Sequence, residues 1–311
     1  MQNRLYSQGQ LLDMHIHTQY SDGLLSVPEL LRLGQKRGID VMSFTDHDVL
    51  YANFEVRNMK DKGGFTGKYI NGCEIAVSYN NKKYEVLAYD FDLDELAKFE
   101  ALSWEFQCEL ERERMAKLIE VGKNLGFKIS KDLEFDISFR TAHKCFFNDL
   151  AKYPDNLKLY QHYGINKSDN LYREHMIKKG SLFHCYDIVS EIPSIEFVCK
   201  KIHNAGGLAI FAHPFTVYGE PDPKTLVKDL YNLNILDGFE CIHKKFTLEE
   251  SVWTYGFCKE NNLIATGGTD FHGDGFKVNG KRFYPECLAF DKYSGLEPRF
   301  PILKTTKENV F

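Results

Sequence analysis

The stretch DMHIHTQYSDG, residues 13–23, decides the fold of this chain. His15 and His17 are two positions apart on a predicted strand, so both imidazoles point to the same side of the sheet. Asp22 follows in the next loop, and the later stretch FTDHD places His47 at the end of a second predicted strand. Two imidazoles on one face, a carboxylate in the loop and a third imidazole indicate the beginning of a metal cluster.

The composition is that of a soluble globular protein. The 311 residues are 43% hydrophobic and 27% charged, enough for one large domain or two modest ones. The sequence has no apolar run long enough to span a bilayer, and its first residues show no secretory signal pattern. The net charge of -5 argues against a protein that mainly coats nucleic acid. We expect a cytoplasmic protein without membrane association or a stable nucleic-acid complex.

The eight cysteines are scattered and form no CxxC pair. They lie in apolar or helical stretches, as buried free thiols do, at positions 73, 108, 145, 185, 199, 241, 258 and 287. This pattern favours a reduced protein with structural cysteines over a disulfide framework.

Strand and helix patterns alternate near both ends of the chain, which predicts an α/β fold with a parallel sheet or barrel. In the middle of the chain this alternation of strands and helices stops. Residues 93–126 there predict one long charged helix, followed by shorter helical and irregular polar pieces. We therefore predict a catalytic domain of residues 1–92 and 193–311, with residues 93–192 inserted as a helical cap. The pattern after Gly280 is too weak to assign.

Four further residues of metal-ligand type directly follow other predicted strands. They are Glu74 in NGCEI, His213 in FAHPF, and Asp270 with His272 in GGTDFHG. Active sites of α/β folds lie at the carboxyl ends of strands, so we expect these residues to join the first cluster. A single histidine at a strand end is more often structural, but the recurrence at several strands favours a multinuclear metal centre.

In this order the motifs resemble the PHP (polymerase and histidinol phosphatase) family of metal-dependent phosphoesterases. The resemblance runs from DMHIHTQYSDG through FTDHD, NGCEI, YEVLAYD and GGLAIFAHP to GGTDFHG, across residues 12–275. The helical insertion resembles that of the stand-alone enzymes of the family. The resemblance implies a distorted (βα)7 TIM-like barrel of the PHP type, with a trinuclear metal site at its carboxyl-terminal mouth.

The resemblance also implies one group of ligands for each of three metals. The groups are His15, His17, Glu74 and Asp270 for the first, Asp22, His47 and His272 for the second, and Glu74, His213 and position 85 for the third. The expected catalytic residues are His15, His17, Glu74, His213 and Asp270. Glu74 would bridge two metals, which requires a carboxylate because an imidazole nitrogen has a single lone pair.

Position 85 departs from the family pattern. The family strand usually reads HxLG, with histidine as the ligand, whereas this chain reads EVLA from Glu85. Glutamate can still bind a metal, and its harder, more anionic oxygen would favour manganese, iron or magnesium over zinc. The alternative is that Glu85 is a solvated strand residue and the centre is binuclear. The expected cofactors are therefore two or three divalent ions, manganese, iron or zinc, with magnesium as a further candidate.

Substrate phosphate also needs positive groups other than metals. In related stand-alone enzymes the helical cap supplies arginines, and Arg114, Arg140 and His143 occupy comparable stretches here. Arg114 lies in ELERERM, where alternating Glu and Arg are also typical of a solvated, ion-paired helix face. His243 either lines the pocket or is structural. Asp46 either orients the neighbouring His47 imidazole or serves only strand-end hydrogen bonding.

The expected function is hydrolysis of a phosphoester. We expect a small nucleotide-derived substrate, a nucleoside 3',5'-bisphosphate or a short oligonucleotide, cleaved by in-line attack of a metal-bridging hydroxide on phosphorus. One alternative is a histidinol-phosphate phosphatase, and another is an amidohydrolase-type metal hydrolase. A third is a metal or nucleotide sensor without turnover, which the departure at Glu85 would explain. The sequence does not predict an oligomeric state.

Overall fold

Strands and helices alternate in the larger of two units, which comprises Met1–Phe99 and Pro193–Phe311. The smaller unit, Glu100–Ile192, has helices as its regular structure over the described residues. The computed structural model describes residues 11–139, 141–166, 170–217 and 220–273, and the backbone of 276–278 and 281–283. The fold is α/β, as the sequence predicts.

Eight described strands form two sheets, and two more form a short hairpin. In chain order they are β1 (Leu12–Ile16), β2 (Val41–Phe44), β3 (Lys68–Tyr69), β4 (Gly72–Tyr79), β5 (Lys82–Tyr89), β6 (Leu208–Phe211), β7 (Gly238–Ile242), β8 (Ile264–Gly267), β9 (Phe276–Val278) and β10 (Lys281–Phe283). The first sheet is parallel, in the order β1-β2-β3. The second has the order β4-β5-β6-β7-β8, antiparallel from β4 to β6 and parallel from β6 to β8.

The described α-helices cover both units. They are α1 (Val27–Arg37), α2 (Tyr51–Asn58), α3 (Leu93–Leu96), α4 (Trp104–Asn124), α5 (Ala142–Leu150), α6 (Asn156–His162), α7 (Leu171–His175), α8 (Ile188–Glu191), α9 (Ile195–Asn204), α10 (Pro223–Asn232) and α11 (Leu248–Glu260). None of them combines the length and the apolar character that crossing a bilayer requires.

The predicted (βα)7 barrel is not confirmed, because the strands described here do not close into one. The two sheets are joined only by isolated parallel bridges, His47 to Glu74 and Ile16 to Phe271, in the described part of the chain. The backbone next to each bridge leaves the strand conformation, since Asp48 has φ 52° and Asp270 has φ 49°. Both junctions between the sheets therefore lie at or beside candidate metal ligands.

The single helix predicted over residues 93–126 is wrong, because two side chains start new helices within that stretch. The Asp92 carboxylate accepts from the backbone N–H groups of the first turn of α3, which ends at Leu96. The Ser103 hydroxyl accepts from the N–H of Phe106 at 3.2 Å and starts α4. Ser and Asp compete for backbone hydrogen bonds and so favour helix starts over helix interiors.

Each unit has its own hydrophobic core. In the larger unit, α1 packs on the first sheet through buried side chains that include Leu31, Met42 and Phe44. In the smaller unit the core includes Leu118 and Phe146. The described cysteines carry free thiols. The core of the larger unit holds β1 and β2, whose ends carry candidate ligands.

Candidate metal centre

His15, on β1, and His17, directly after it, are buried side by side. The ring centroids of His15 and His17 are 5.2 Å apart, and neither residue is exposed to solvent. Asp13 accepts hydrogen bonds from the backbone N–H and the hydroxyl of Thr269, at 2.9 and 2.7 Å. Gly268 lies so close to β1 that a Cβ there would be 2.2 Å from the His15 Cβ. The segment after β8 is therefore held directly against the histidine strand.

Glu74, buried on β4, is the carboxylate that the candidate histidines share. Its Oε2 lies 3.2 Å from His15 Nε2, 3.3 Å from His17 Nε2 and 3.1 Å from His47 Nδ1. Its Oε1 lies 2.9 Å from His213 Nε2. Two carboxylate oxygens that contact four imidazoles can bridge two ions, because each oxygen has more than one lone pair.

Asp270 uses its two oxygens differently. Oδ1 lies 3.3 Å from His17 Nε2. Oδ2 accepts a hydrogen bond from His243 Nε2 at 3.1 Å and lies 3.3 Å from Lys244 Nζ. The backbone N–H of Lys245 donates to His243 Nδ1 at 3.2 Å, so the hydrogen of this imidazole is on Nε2. Oδ2 is thus held by protein donors, and Oδ1 faces the histidine cluster.

Asp22 brings together the remaining candidates. Its Oδ1 lies 3.0 Å from His272 Nε2, 3.7 Å from His47 Nε2 and 3.7 Å from His17 Nδ1. His272 Nδ1 donates to the carbonyl of Asp270 at 3.0 Å, which leaves the Nε2 lone pair directed at Asp22. A hydrogen bond of this kind fixes the tautomer of a metal-binding histidine.

Glu85 lies at the edge of the cluster, on β5. Its Oε2 is 3.4 Å from His213 Nε2 and its Oε1 is 3.0 Å from Lys83 Nζ. Burial opposes ionisation of this carboxyl, but Lys83 favours it, and the pKa of Glu85 is lowered. Ligand atoms of Glu85, His47 and Glu74 lie within 4.8 Å of one another. Glu85 is thus an ionised carboxylate between a lysine and the histidine cluster.

The donor set fits divalent metal ions. In the described part of the chain, buried atoms without a hydrogen-bond partner include His15 Nε2, His17 Nε2, Asp22 Oδ1 and His213 Nδ1. Such an atom costs about 1–3 kcal/mol, so several in one cluster indicate a ligand. Groups with ligand atoms within 4.8 Å of one another are His17, Asp22, His47 and His272; His15, Glu74 and His213; His15, His17 and Asp270; and His47, Glu74 and Glu85. Mixed imidazole and carboxylate ligands suit manganese, iron and zinc.

The electrostatics of the cluster favour cations. Burial opposes protonation of His17, but the nearby carboxylates of Asp270 and Glu74 raise its pKa to about 10. His213 is likewise buried, and Glu74 raises its pKa to about 9. Burial also opposes ionisation of Glu74, yet the surrounding imidazoles hold the pKa of its carboxyl well below the usual range. The carboxylates therefore attract positive charge into the site, as protons on the imidazoles or as metal ions.

Glu240 is a functional residue that the sequence analysis missed. It is buried on β7, where its Oε1 accepts from His15 Nδ1 at 3.0 Å and its Oε2 accepts from the backbone N–H of His213 at 2.8 Å. One carboxylate thereby orients two candidate ligands and leaves His15 Nε2 directed at the cluster. The available signal was a charged residue inside the otherwise apolar strand GFECI.

Asp46 organises a loop. Its carboxylate accepts from the backbone N–H and the hydroxyl of Thr18, both at 2.7 Å, and from the hydroxyl of Ser21 at 2.6 Å. These bonds fix the loop between His17 and Asp22. Of the two roles considered from the sequence, these bonds support hydrogen bonding at the strand end.

The predicted substrate residues lie in different surroundings. His243 is buried against Asp270, as described above. Arg114, in the smaller unit, is buried and pairs with Glu111 at 2.5 Å and Glu191 at 2.9 Å. His143, in the same unit, stacks on the ring of Tyr172, with the two ring centroids 4.2 Å apart. Arg140 lies outside the described residues.

A model of the PHP domain matches residues 13–205, more than half of the chain. The chain belongs to the PHP domain family. The family resemblance of the sequence motifs is thereby confirmed. The matched range includes His15, His17, Asp22, His47 and Glu74. The candidates His213, Asp270 and His272 lie after it.

Three curated relatives of this PHP chain are phosphoester hydrolases by name. A phosphoribosyl 1,2-cyclic phosphate 1,2-diphosphodiesterase of Eggerthella lenta is 24% identical over 84% of this chain and 94% of its own length. A 5'-3' exoribonuclease of Haemophilus influenzae is 24% identical over 84% and 89%. A 3',5'-nucleoside bisphosphate phosphatase of Chromobacterium violaceum is 24% identical over 85% and 88%.

A solved structure confirms the similarity of fold. A protein from Bifidobacterium adolescentis, assigned as a metal-dependent phosphoesterase, superposes with a TM-score of 0.59. The two chains are 21% identical, and the match covers 93% of this chain and 96% of the other. This chain and that protein therefore share a fold.

Proposed function

We propose that this PHP protein is a metal-dependent phosphoesterase that hydrolyses a small nucleotide-derived phosphomonoester. The observation that carries the proposal is the position of Glu74, whose two buried oxygens contact four imidazoles from three different segments. A carboxylate shared in this way is suited to hold two ions close together, as hydrolysis of a phosphoester by a multinuclear centre requires. The PHP relatives support the same reaction class by their names.

The proposed metal ligands are Glu74 and the ligand-type residues around it. They are His15, His17, Asp22, His47, Glu74, Glu85, His213, Asp270 and His272. Divalent ions held there would activate a water molecule and neutralise phosphoryl oxygens. The protein's own contribution is orientation, because Glu240 fixes His15 and the Asp270 carbonyl fixes His272. Of the proposed ligands, His15, His17, Glu74, His213 and Asp270 form the proposed catalytic core.

Cationic side chains would complete substrate binding. Lys244 lies 3.3 Å from Asp270 Oδ2 and keeps 26% of its side chain exposed, so it places a positive charge beside the centre. Arg114, Arg140, His143 and His243 remain the substrate residues proposed from the motifs. Arg114 would have to exchange one of its two glutamate partners for the phosphate of the substrate.

The substrate class follows from what the relatives share. The three names describe phosphoesters of a ribose unit, in a cyclic phosphate, an RNA chain or a nucleoside bisphosphate. A ribose-linked phosphoester therefore has more support than histidinol phosphate. The preferred candidate is a nucleoside 3',5'-bisphosphate, with a short oligonucleotide as the related choice.

A substrate panel tests the proposal. The protein is loaded with manganese and offered nucleoside 3',5'-bisphosphates, short oligoribonucleotides, histidinol phosphate and an amide substrate. We expect phosphate or nucleotide release from the first two, with a loss of about a thousandfold or more in Asp270→Asn, since the centre loses a negative ligand oxygen. Turnover of histidinol phosphate or the amide alone would contradict the proposed substrate class.

A further inference from the structure

Lys83 contacts the metal cluster at the position where the chain departs from the family histidine. Its Nζ lies 3.0 Å from Glu85 Oε1. Both residues are on β5, two positions apart, so their side chains leave the same face of the strand. The Lys83 side chain is 35% exposed and that of Glu85 is 18% exposed, so water screens the pair only partly.

The backbone holds Glu85 in place beside the histidines. In the antiparallel pair of β4 and β5, Glu85 is opposite Ala76, and its carbonyl accepts from the N–H of Ala212 at 3.0 Å. Ala212 directly precedes His213, whose Nε2 is 3.4 Å from Glu85 Oε2. One oxygen of Glu85 therefore faces the candidate third metal position, while the other faces the ammonium of Lys83.

We propose that Lys83 competes with a divalent ion for Glu85 and so sets the affinity of the third metal position. A carboxylate neutralised by an ammonium offers less charge to a second cation, and the ammonium itself repels an ion bound a few ångströms away. The neighbouring Glu74 strengthens the attraction for cations but does not remove this competition. The inference rests on the metal centre proposed above and is independent of which phosphoester is the substrate.

The competition predicts an order of filling. Among the described residues, the carboxylate of Asp22 pairs with imidazoles, so an ion binds there without competing with a lysine. An ion at the third position, which Glu85 shares with Glu74, must displace or outweigh Lys83. The third ion is therefore bound more weakly than the ion of the Asp22 group, and the number of metals on the protein depends on the free metal concentration.

The chain offers a matched control next to Lys83. Lys82 is on the opposite face of β5 and pairs with Glu220 at 3.0 Å. Lys82→Met and Lys83→Met change the net charge equally, but only the second removes the ammonium at Glu85. Lys83→Arg keeps the charge, and Glu85→Gln removes the contested carboxylate.

The test is a manganese titration of the metal-free protein by calorimetry, with bound manganese counted at fixed free concentrations. We expect Lys83→Met to strengthen the weakest step by about tenfold or more, since the nearest cation to that ligand is gone. Lys82→Met and Lys83→Arg should resemble the wild type. Glu85→Gln should abolish the step in both the wild-type and Lys83→Met backgrounds.

Two results would overturn the inference. One is an unchanged titration in Lys83→Met, and the other is an equal gain in Lys82→Met, which would indicate a general charge effect. A wild type that binds no manganese at all would instead refute the metal centre and the proposed function. Melting curves of the metal-free variants establish that each one is folded before its titration is interpreted.

Discussion

At the scale of single residues, the centre depends on carboxylates that each perform two tasks. Glu74 contacts four imidazoles, and Glu240 braces both the ring of His15 and the backbone of His213. The ligand-type residues at strand ends were readable from the sequence because their motifs are ordered and specific. Glu240 could not be identified from the sequence, because a buried carboxylate that orients other ligands belongs to no sequence motif. Its partners, His15 and His213, are also distant from it along the chain.

Glu240→Gln is expected to weaken metal binding. An amide has one acceptor oxygen, so it can accept from His15 Nδ1 or from the His213 N–H but not from both. It is also neutral and no longer favours the imidazole as an electron donor to a metal. We predict a loss of about 10–100-fold in manganese affinity, measured by calorimetry, with the fold intact. Glu196→Gln, at an exposed position on α9, is the matched control. Equal affinities for the Glu240 variant and this control would contradict the bracing role.

At the scale of elements, the sequence predicted where most strands and helices lie but not where the elements break or fail to join. The rhythm of apolar residues located β1, β2 and the β4–β5 pair, whereas the break before α4 depends on the Ser103 cap. Closure of a barrel also depends on backbone conformations such as φ 49° at Asp270, which residue patterns do not show. The strand order was therefore less predictable than the strands.

Gly268→Ala tests the contact between the segment after β8 and β1. A Cβ at this position would lie 2.2 Å from the His15 Cβ and 2.4 Å from its backbone nitrogen, so the two segments must separate. We expect a loss of about 1–3 kcal/mol in the free energy of unfolding, together with weaker metal binding. Gly256→Ala is the control, because a Cβ there meets no atom within 4 Å in helix α11, and alanine favours helix. Denaturant unfolding of both variants measures the difference, and similar stabilities would contradict the close contact.

At the scale of the whole molecule, the centre gathers residues from β1 to the segment after β8, so it exists only in the folded chain. The family could be recognised from the sequence because these residues occur in ordered motifs along it. The substrate residues could not be placed in the same way. Arg114 proved to be engaged with Glu111 and Glu191, which its helical pattern alone did not distinguish from a solvated face.

Metal binding is expected to depend on pH, because the ions must displace protons. The pKa of His17 is raised to about 10 and that of His213 to about 9, so both are protonated at neutral pH in the metal-free protein. Binding therefore tightens as the pH rises towards these values and weakens as it falls. We predict that the affinity for the metal rises about tenfold per pH unit for each proton released. Calorimetry in buffers of different ionisation enthalpy counts these protons, and zero protons released at pH 7 would contradict the electrostatic account.

The central claim is that the cluster around Glu74 is a divalent-metal centre that hydrolyses phosphoesters. The most direct measurement is phosphate release from a nucleoside 3',5'-bisphosphate while the metal-free protein is titrated with manganese and bound metal is counted. We predict no release without metal, a rise in parallel with bound manganese, and no rise in Asp270→Asn. Equal release by the metal-free protein, or none from the fully loaded wild type with any phosphoester of the panel, would contradict it.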